Sequence, residues 1–159
     1  MKLNRRKFIG TLLLLCTSLP TLAAQPMQNL SALTKALSRN QRRYALLYFV
    51  QEGCPYCAKE TPILTEFQKQ TGWYIKQVDI HQQPEVRTKF NISNTPTIVL
   101  ISEDMDSRSW QPVSYGFSAA DTLVNSIYGI TRVLSGEANP QSLRNLVIQG
   151  QSTPFSGEE

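Results

Sequence analysis

Tyr44-Ala45-Leu46-Leu47-Tyr48-Phe49-Val50-Gln51-Glu52-Gly53-Cys54-Pro55-Tyr56-Cys57 is the stretch on which the fold turns. Its first seven residues are continuously apolar or aromatic, the pattern of a strand buried on both faces. Gln51-Glu52-Gly53 breaks the run. The cysteines then open a helix carried on by Ile63, Leu64 and Phe67 as far as Gln70, with Gly72 just past its end. Pro62 falls inside this helix and should kink it. Cys54 therefore stands at a helix start, where free main-chain N–H groups and the helix dipole favour a thiolate. Pro55 suits the first turn, where a missing N–H costs nothing. Cys57, one turn on, can reach back to Cys54. Such a pair is equipped for thiol–disulfide exchange, with Cys54 attacking and Cys57 resolving.

Outward from this centre the chain alternates. Leu30, Leu33, Ala36 and Leu37 predict a short amphipathic helix within residues 26–40. Residues 73–80 read as a second strand, 84–90 as a short helix, and 97–101 as a strong strand introduced by Thr95-Pro96. Glu103, Asp104, Met105, Asp106 and Ser107 read as a solvated turn, and residues 110–117 as a returning strand. Ser118 reads as the N-cap of a helix, with Asp121 three residues on, and Leu123, Val124, Ile127, Ile130, Val133 and Leu134 follow at helical spacing. A short helix is expected within 141–148, and the polar tail 149–159 is expected to be disordered. The order α-β-α-β-α-β-β-α, with right-handed crossovers, predicts an α/β fold. A mixed four-stranded central sheet would carry helices on both faces.

The chain has 159 residues, 41% of them apolar, which suits one domain and excludes wholesale disorder. Its net charge of +4 does not describe the folded body. Lys2, Arg5, Arg6 and Lys7 precede an apolar run and account for the whole excess of 16 basic over 12 acidic residues. A nucleic-acid-binding role is therefore not expected. Residues 1–24 read as a cleaved export signal, by the general or the twin-arginine route, ending at small residues Ala23 and Ala24. Cys16 leaves with the signal, so the mature chain keeps Cys54 and Cys57 alone. A bridge across two residues closes too small a ring to restrict the unfolded chain much, so the pair points to chemistry and not to stapling. Only His81 could join the two cysteines on zinc, one ligand short of a closed site. Neither metal nor cofactor is expected.

Cys54-Pro55-Tyr56-Cys57 at a strand-to-helix junction, Pro62 inside the helix, and Thr95-Pro96-Thr97 opening a later strand together resemble the thioredoxin fold. The resemblance covers roughly residues 45–134. It implies a cis peptide bond before Pro96, with Thr95 and Pro96 presenting main-chain groups to an extended substrate strand beside the cysteines. Pro55 and Tyr56 support the motif. On this footing, residues 25–136 form a thioredoxin-like domain, followed by a C-terminal helix and polar tail at 137–159.

The last strand and helix, Val113-Ser114-Tyr115-Gly116-Phe117-Ser118-Ala119-Ala120-Asp121, resemble the TraF/TrbB group of conjugative-transfer proteins, and the chain is nearer the TrbB type in size. That resemblance implies a periplasmic thiol–disulfide oxidoreductase acting on envelope proteins of a type IV secretion apparatus. A membrane or periplasmic redox partner would recharge it. Thr95 before Pro96 leans the reading toward isomerase or reductase. The competing class is a non-catalytic assembly component with the same fold.

Tyr48 stands where thioredoxins carry a buried carboxylate, and Gly53 where they carry tryptophan, so thioredoxin-like reductase efficiency is not implied. With neutral Tyr56 and acidic Glu52 beside the pair, the expected potential is roughly −170 to −230 mV. No apolar stripe is left over for an obligate interface, and a monomer is expected.

Overall fold

The structure is a computed structural model and describes residues 26–103 and 110–154. The export-signal reading of residues 1–24, most of the acidic turn and the last five tail residues lie outside the described residues. The elements run α1 (Pro26–Ser38), β1 (Tyr44–Val50), α2 (Pro55–Thr71), β2 (Tyr74–Asp79), α3 (Glu85–Lys89), β3 (Asn94–Thr95), β4 (Thr97–Ser102), β5 (Trp110–Tyr115), α4 (Ala120–Leu134), α5 (Leu143–Leu146), β6 (Ile148–Gln149) and β7 (Thr153–Pro154). A 3-10 turn, Pro140–Ser142, leads into α5.

The continuous apolar run of β1 is answered on both faces. Leu46, Tyr48 and Val50 face a core shared with Leu37 of α1, Leu64 and Phe67 of α2, and Leu123 and Ile127 of α4. Phe49 faces the other way and packs with Val78, Val86, Phe90 and Val99 on the side of α3. Period-two alternation therefore feeds two cores, and a strand with no polar face is the only kind that fits between them. Trp73, 0% exposed, ties α1 to α2. It lies edge-on to Phe67 at 5.7 Å and stacks on Tyr44 at 5.6 Å, and its Nε1–H donates to the Leu37 carbonyl at 2.9 Å.

β1 pairs parallel with β2 and antiparallel with β4, and β4 pairs antiparallel with β5. These four strands are the mixed sheet expected from the sequence. The register of β4 and β5 slips between Ile98 and Val99, where Pro112 faces Val99. A bulge accommodates a residue that cannot donate to the ladder.

Two differences follow from the tail. β6 adds a fifth strand, parallel to β5, giving the order β2-β1-β4-β5-β6. β7 pairs with β3 in a separate two-stranded sheet. The expectation of disorder is thus corrected for residues 149–154, which are main-chain paired. The close approach that allows this depends on two glycines. At Gly116, with φ of 101°, a Cβ would stand 2.3 Å from the Gly150 carbonyl oxygen, and one on Gly150 would stand 1.9 Å from that of Phe117. The Gly150 N–H donates to Tyr115 and the Phe117 N–H to Gln151, at 2.8 and 2.7 Å.

A third difference is at Ser118. The N-cap of α4 is Ala119, which makes no side-chain cap bond. The Ser118 hydroxyl is committed elsewhere, to Glu60. Among the described residues no helix is long and apolar enough to cross a membrane.

Candidate functional site

Cys54 is the N-cap of α2, in extended conformation, and Pro55 occupies the first turn as its fixed φ and missing N–H favour. Cys54 and Cys57 form a disulfide. The Cys57 N–H donates to Cys54 Sγ at 3.1 Å, so one of the free N–H groups of the helix start already points at that sulfur. A thiolate formed there would meet the same donor. Gly53 just before it has φ of 69°, which turns the chain from β1 into α2 at no steric cost.

The structure brings Thr95, the residue before Pro96, to this sulfur. The Thr95–Pro96 bond is cis. Thr95 is fully buried, and its hydroxyl donates to Cys54 Sγ at 3.4 Å. Tyr56 is half-buried, packs against the core, and has the Lys59 ammonium 5.3 Å from its ring centre. Cys54 is no more open than Cys57, at 7% and 6% exposure. Position at a helix start alone does not show what the rest of the chain lays over Cys54. His81 is exposed, and no group of three His, Cys, Asp or Glu that could hold a metal ion occurs among the described residues.

Beneath the cysteines lie residues the sequence reading passed over or assigned otherwise. Tyr48 Oη and Thr61 Oγ1 both donate to the Cys57 carbonyl at 2.9 Å, fixing the first turn of α2 from below. Burial pushes the Tyr48 phenol up, the contact with the Thr61 hydroxyl at 3.2 Å pulls it partway down and the Glu60 charge adds to the rise, so it remains a proton donor. Glu60, one helical turn past Cys57, is 0% exposed. Its two oxygens accept from the main-chain N–H and the hydroxyl of Ser118, at 2.8 and 3.0 Å. Burial raises the Glu60 carboxyl above its ordinary 4.5, and the two Ser118 bonds pull partway back. The spacing that could have found it is visible: Cys57, Glu60, Leu64, Phe67 and Thr71 recur at three and four residues and form the buried face of α2.

The sequence model of the TraF family, described as F plasmid transfer operon protein, matches residues 20–128. This chain belongs to the TraF family. No curated protein matches it. Among solved structures it is similar to a protein disulfide oxidoreductase from Aeropyrum pernix k1, with 14% identity and a TM-score of 0.50, over 68% of this chain and 44% of that one. It is also similar to thioredoxin-2 of a malaria parasite, a component of protein secretion machinery, with 22% identity and a TM-score of 0.46, over 55% and 82% of the two chains. A thioredoxin-fold protein from Helicobacter pylori matches with 17% identity and a TM-score of 0.47, over 66% and 80%. With its mixed sheet, flanking helices and cis proline, this TraF-family chain has the thioredoxin fold.

Proposed function

We propose that this TraF-family protein is an exported, periplasmic thiol–disulfide oxidoreductase of a conjugative type IV secretion system, acting as a reductase or isomerase on envelope proteins. The observation that carries the reading is the Cys54–Cys57 disulfide at a helix start, with the hydroxyl of Thr95, the residue before the cis proline, on the Cys54 sulfur. In the reduced form the Cys54 thiolate attacks one sulfur of a substrate disulfide. That bond breaks, one substrate thiolate leaves, and a mixed disulfide remains on Cys54. Cys57, after losing its proton, attacks Cys54 Sγ, releases the second substrate thiolate and closes the ring. Two electrons pass to the substrate, and a thiol reductant of the envelope must restore the pair. Tyr48 and Thr61 hold the Cys57 carbonyl, and with it the start of α2, through the cycle. Thr95 and Pro96 offer main-chain groups to the substrate, and Pro55 and Tyr56 shape the first turn. No cofactor or metal takes part, nucleic acid is not a partner, and the chain acts as a monomer.

Insulin reduction and reactivation of scrambled ribonuclease, with wild type beside Cys54→Ser, test the activity. Loss of both reactions in the variant is the expected result. Equal low rates in the two would instead favour a non-catalytic assembly component. Cys57→Ala, which cannot release the mixed disulfide, should retain envelope substrates covalently. Light scattering during size exclusion checks the monomer.

A further inference from the structure

We propose that β7 is a resident occupant of the main-chain edge at Asn94–Thr95, exchanged for an extended segment of the protein substrate when the cysteines engage it. The inference rests on the oxidoreductase reading, which is what brings an extended polypeptide to this place.

β7 runs antiparallel to β3, with Thr153 opposite Thr95 and Pro154 opposite Asn94. Antiparallel pairs alternate between those that exchange both main-chain hydrogen bonds and those that exchange none. Pro154 has no N–H and cannot take part in the first kind, so Thr95 and Thr153 are the pair that does. The tail therefore uses both main-chain groups of the residue whose hydroxyl touches Cys54 Sγ. A substrate strand adding beside Cys54 needs the same two groups. The two occupants exclude each other.

β7 holds this edge weakly. It is two residues long and contains a proline. Its side-chain and capping bonds are Asn94 Nδ2–H to Ser152 Oγ at 2.9 Å and Gln51 Nε2–H to the Pro154 carbonyl at 3.3 Å. Gln51 is 8% exposed, and its Oε1 is buried with no hydrogen-bond partner. β7 thus answers one end of a buried amide and leaves the other unmet, a costly arrangement for a polar group out of water. A substrate segment with a main-chain N–H at this point can complete the amide; proline cannot. Release of β7 need not unravel the tail, because Gly150 and Gln151 are held independently by Tyr115 and Phe117.

Two measurements decide the matter. In Cys57→Ala, a cysteine peptide activated with thionitrobenzoate is placed on Cys54 as a mixed disulfide, and amide hydrogen exchange is followed by mass spectrometry. Thr153 should lose protection roughly tenfold relative to the free variant while Thr95 stays protected, now by the peptide. Continued protection of Thr153 in the mixed disulfide overturns strand exchange. Second, insulin reduction is compared among wild type, a chain ended after Gln151, and Thr153→Pro, which keeps the length and deletes one ladder donor. Both variants should be faster by roughly tenfold, the scale of a few competing hydrogen bonds. Unchanged or slower rates in both overturn the proposal. Insulin reduction absent from every form, with strand exchange still seen in the mixed disulfide, would remove the oxidoreductase reading and leave the docking edge standing.

Discussion

Replacing Glu60 by glutamine isolates the protonation of a buried carboxyl from its shape. Both Glu60 oxygens accept from Ser118. A glutamine can keep both contacts, its carbonyl accepting from the main-chain N–H and its amide donating to the hydroxyl. What disappears is the titration. Because burial raises the Glu60 carboxyl above 4.5 in the folded chain, the folded state holds its proton after the unfolded state has released it. The group's contribution to stability is fully present below the unfolded value and is lost as pH rises through the folded one. One proton sets a limiting slope of about 1.4 kcal/mol per pH unit across that window. Stability of the wild type relative to Glu60→Gln should therefore fall with pH above the ordinary carboxylate range, then level off once the folded carboxyl is ionised.

Urea unfolding of the two oxidised proteins from about pH 4 to about pH 8, at constant m, reads this difference directly. Glu60→Ala supplies the scale of the bonds themselves. It leaves the Ser118 N–H without its acceptor at a residue only 3% exposed, which should cost about 3 kcal/mol with the cavity included. A gap between wild type and Glu60→Gln that stays constant over the whole pH range would refute the argument. Glu60 would then ionise as freely inside the fold as outside it.

Trp73→Ala should cost roughly 3–5 kcal/mol in urea unfolding, and Trp73→Phe clearly less, since phenylalanine keeps the ring contacts but not the donor to Leu37. Tyr48→Phe should cost about 1 kcal/mol, because the Cys57 carbonyl keeps the Thr61 hydroxyl; the double variant with Thr61→Ala should lose more than the sum of the singles. Gly116→Ala should destabilise by about 1–3 kcal/mol through its positive φ and the clash with Gly150. Hydrogen exchange should show residues 148–154 released in that variant before the rest of the sheet opens.

The parts of the fold that were legible are those whose signal is carried by side chains. A seven-residue run with no polar member, closed by Gln51-Glu52-Gly53, has the pattern of a strand between two cores, and β1 is that strand. A cysteine followed by proline at a helix start is a local fact, and Cys54 is the N-cap. Ser118 failed as a cap because two local uses of one hydroxyl compete, and a carboxylate 58 residues away in sequence won. Nothing near Ser118 in the chain records that competitor. Glu60 was legible in principle, being a polar residue on an otherwise buried helical face, but such a residue is ordinarily explained by exposure.

The tail was opaque for a different reason. β6 and β7 are two residues each, and main-chain groups make their pairings, so they leave no hydrophobic period to read. Their placement follows from Gly116 and Gly150, which let two backbones approach where any side chain would collide. Two isolated glycines 34 positions apart in the sequence do not announce that they meet. The consequence reaches the cysteines, since the tail runs on from that crossing to Thr95, the residue in contact with Cys54 Sγ. The cysteine motif was readable in the sequence, whereas the main-chain pairing of Thr95 beside it is made by residues about a hundred positions later.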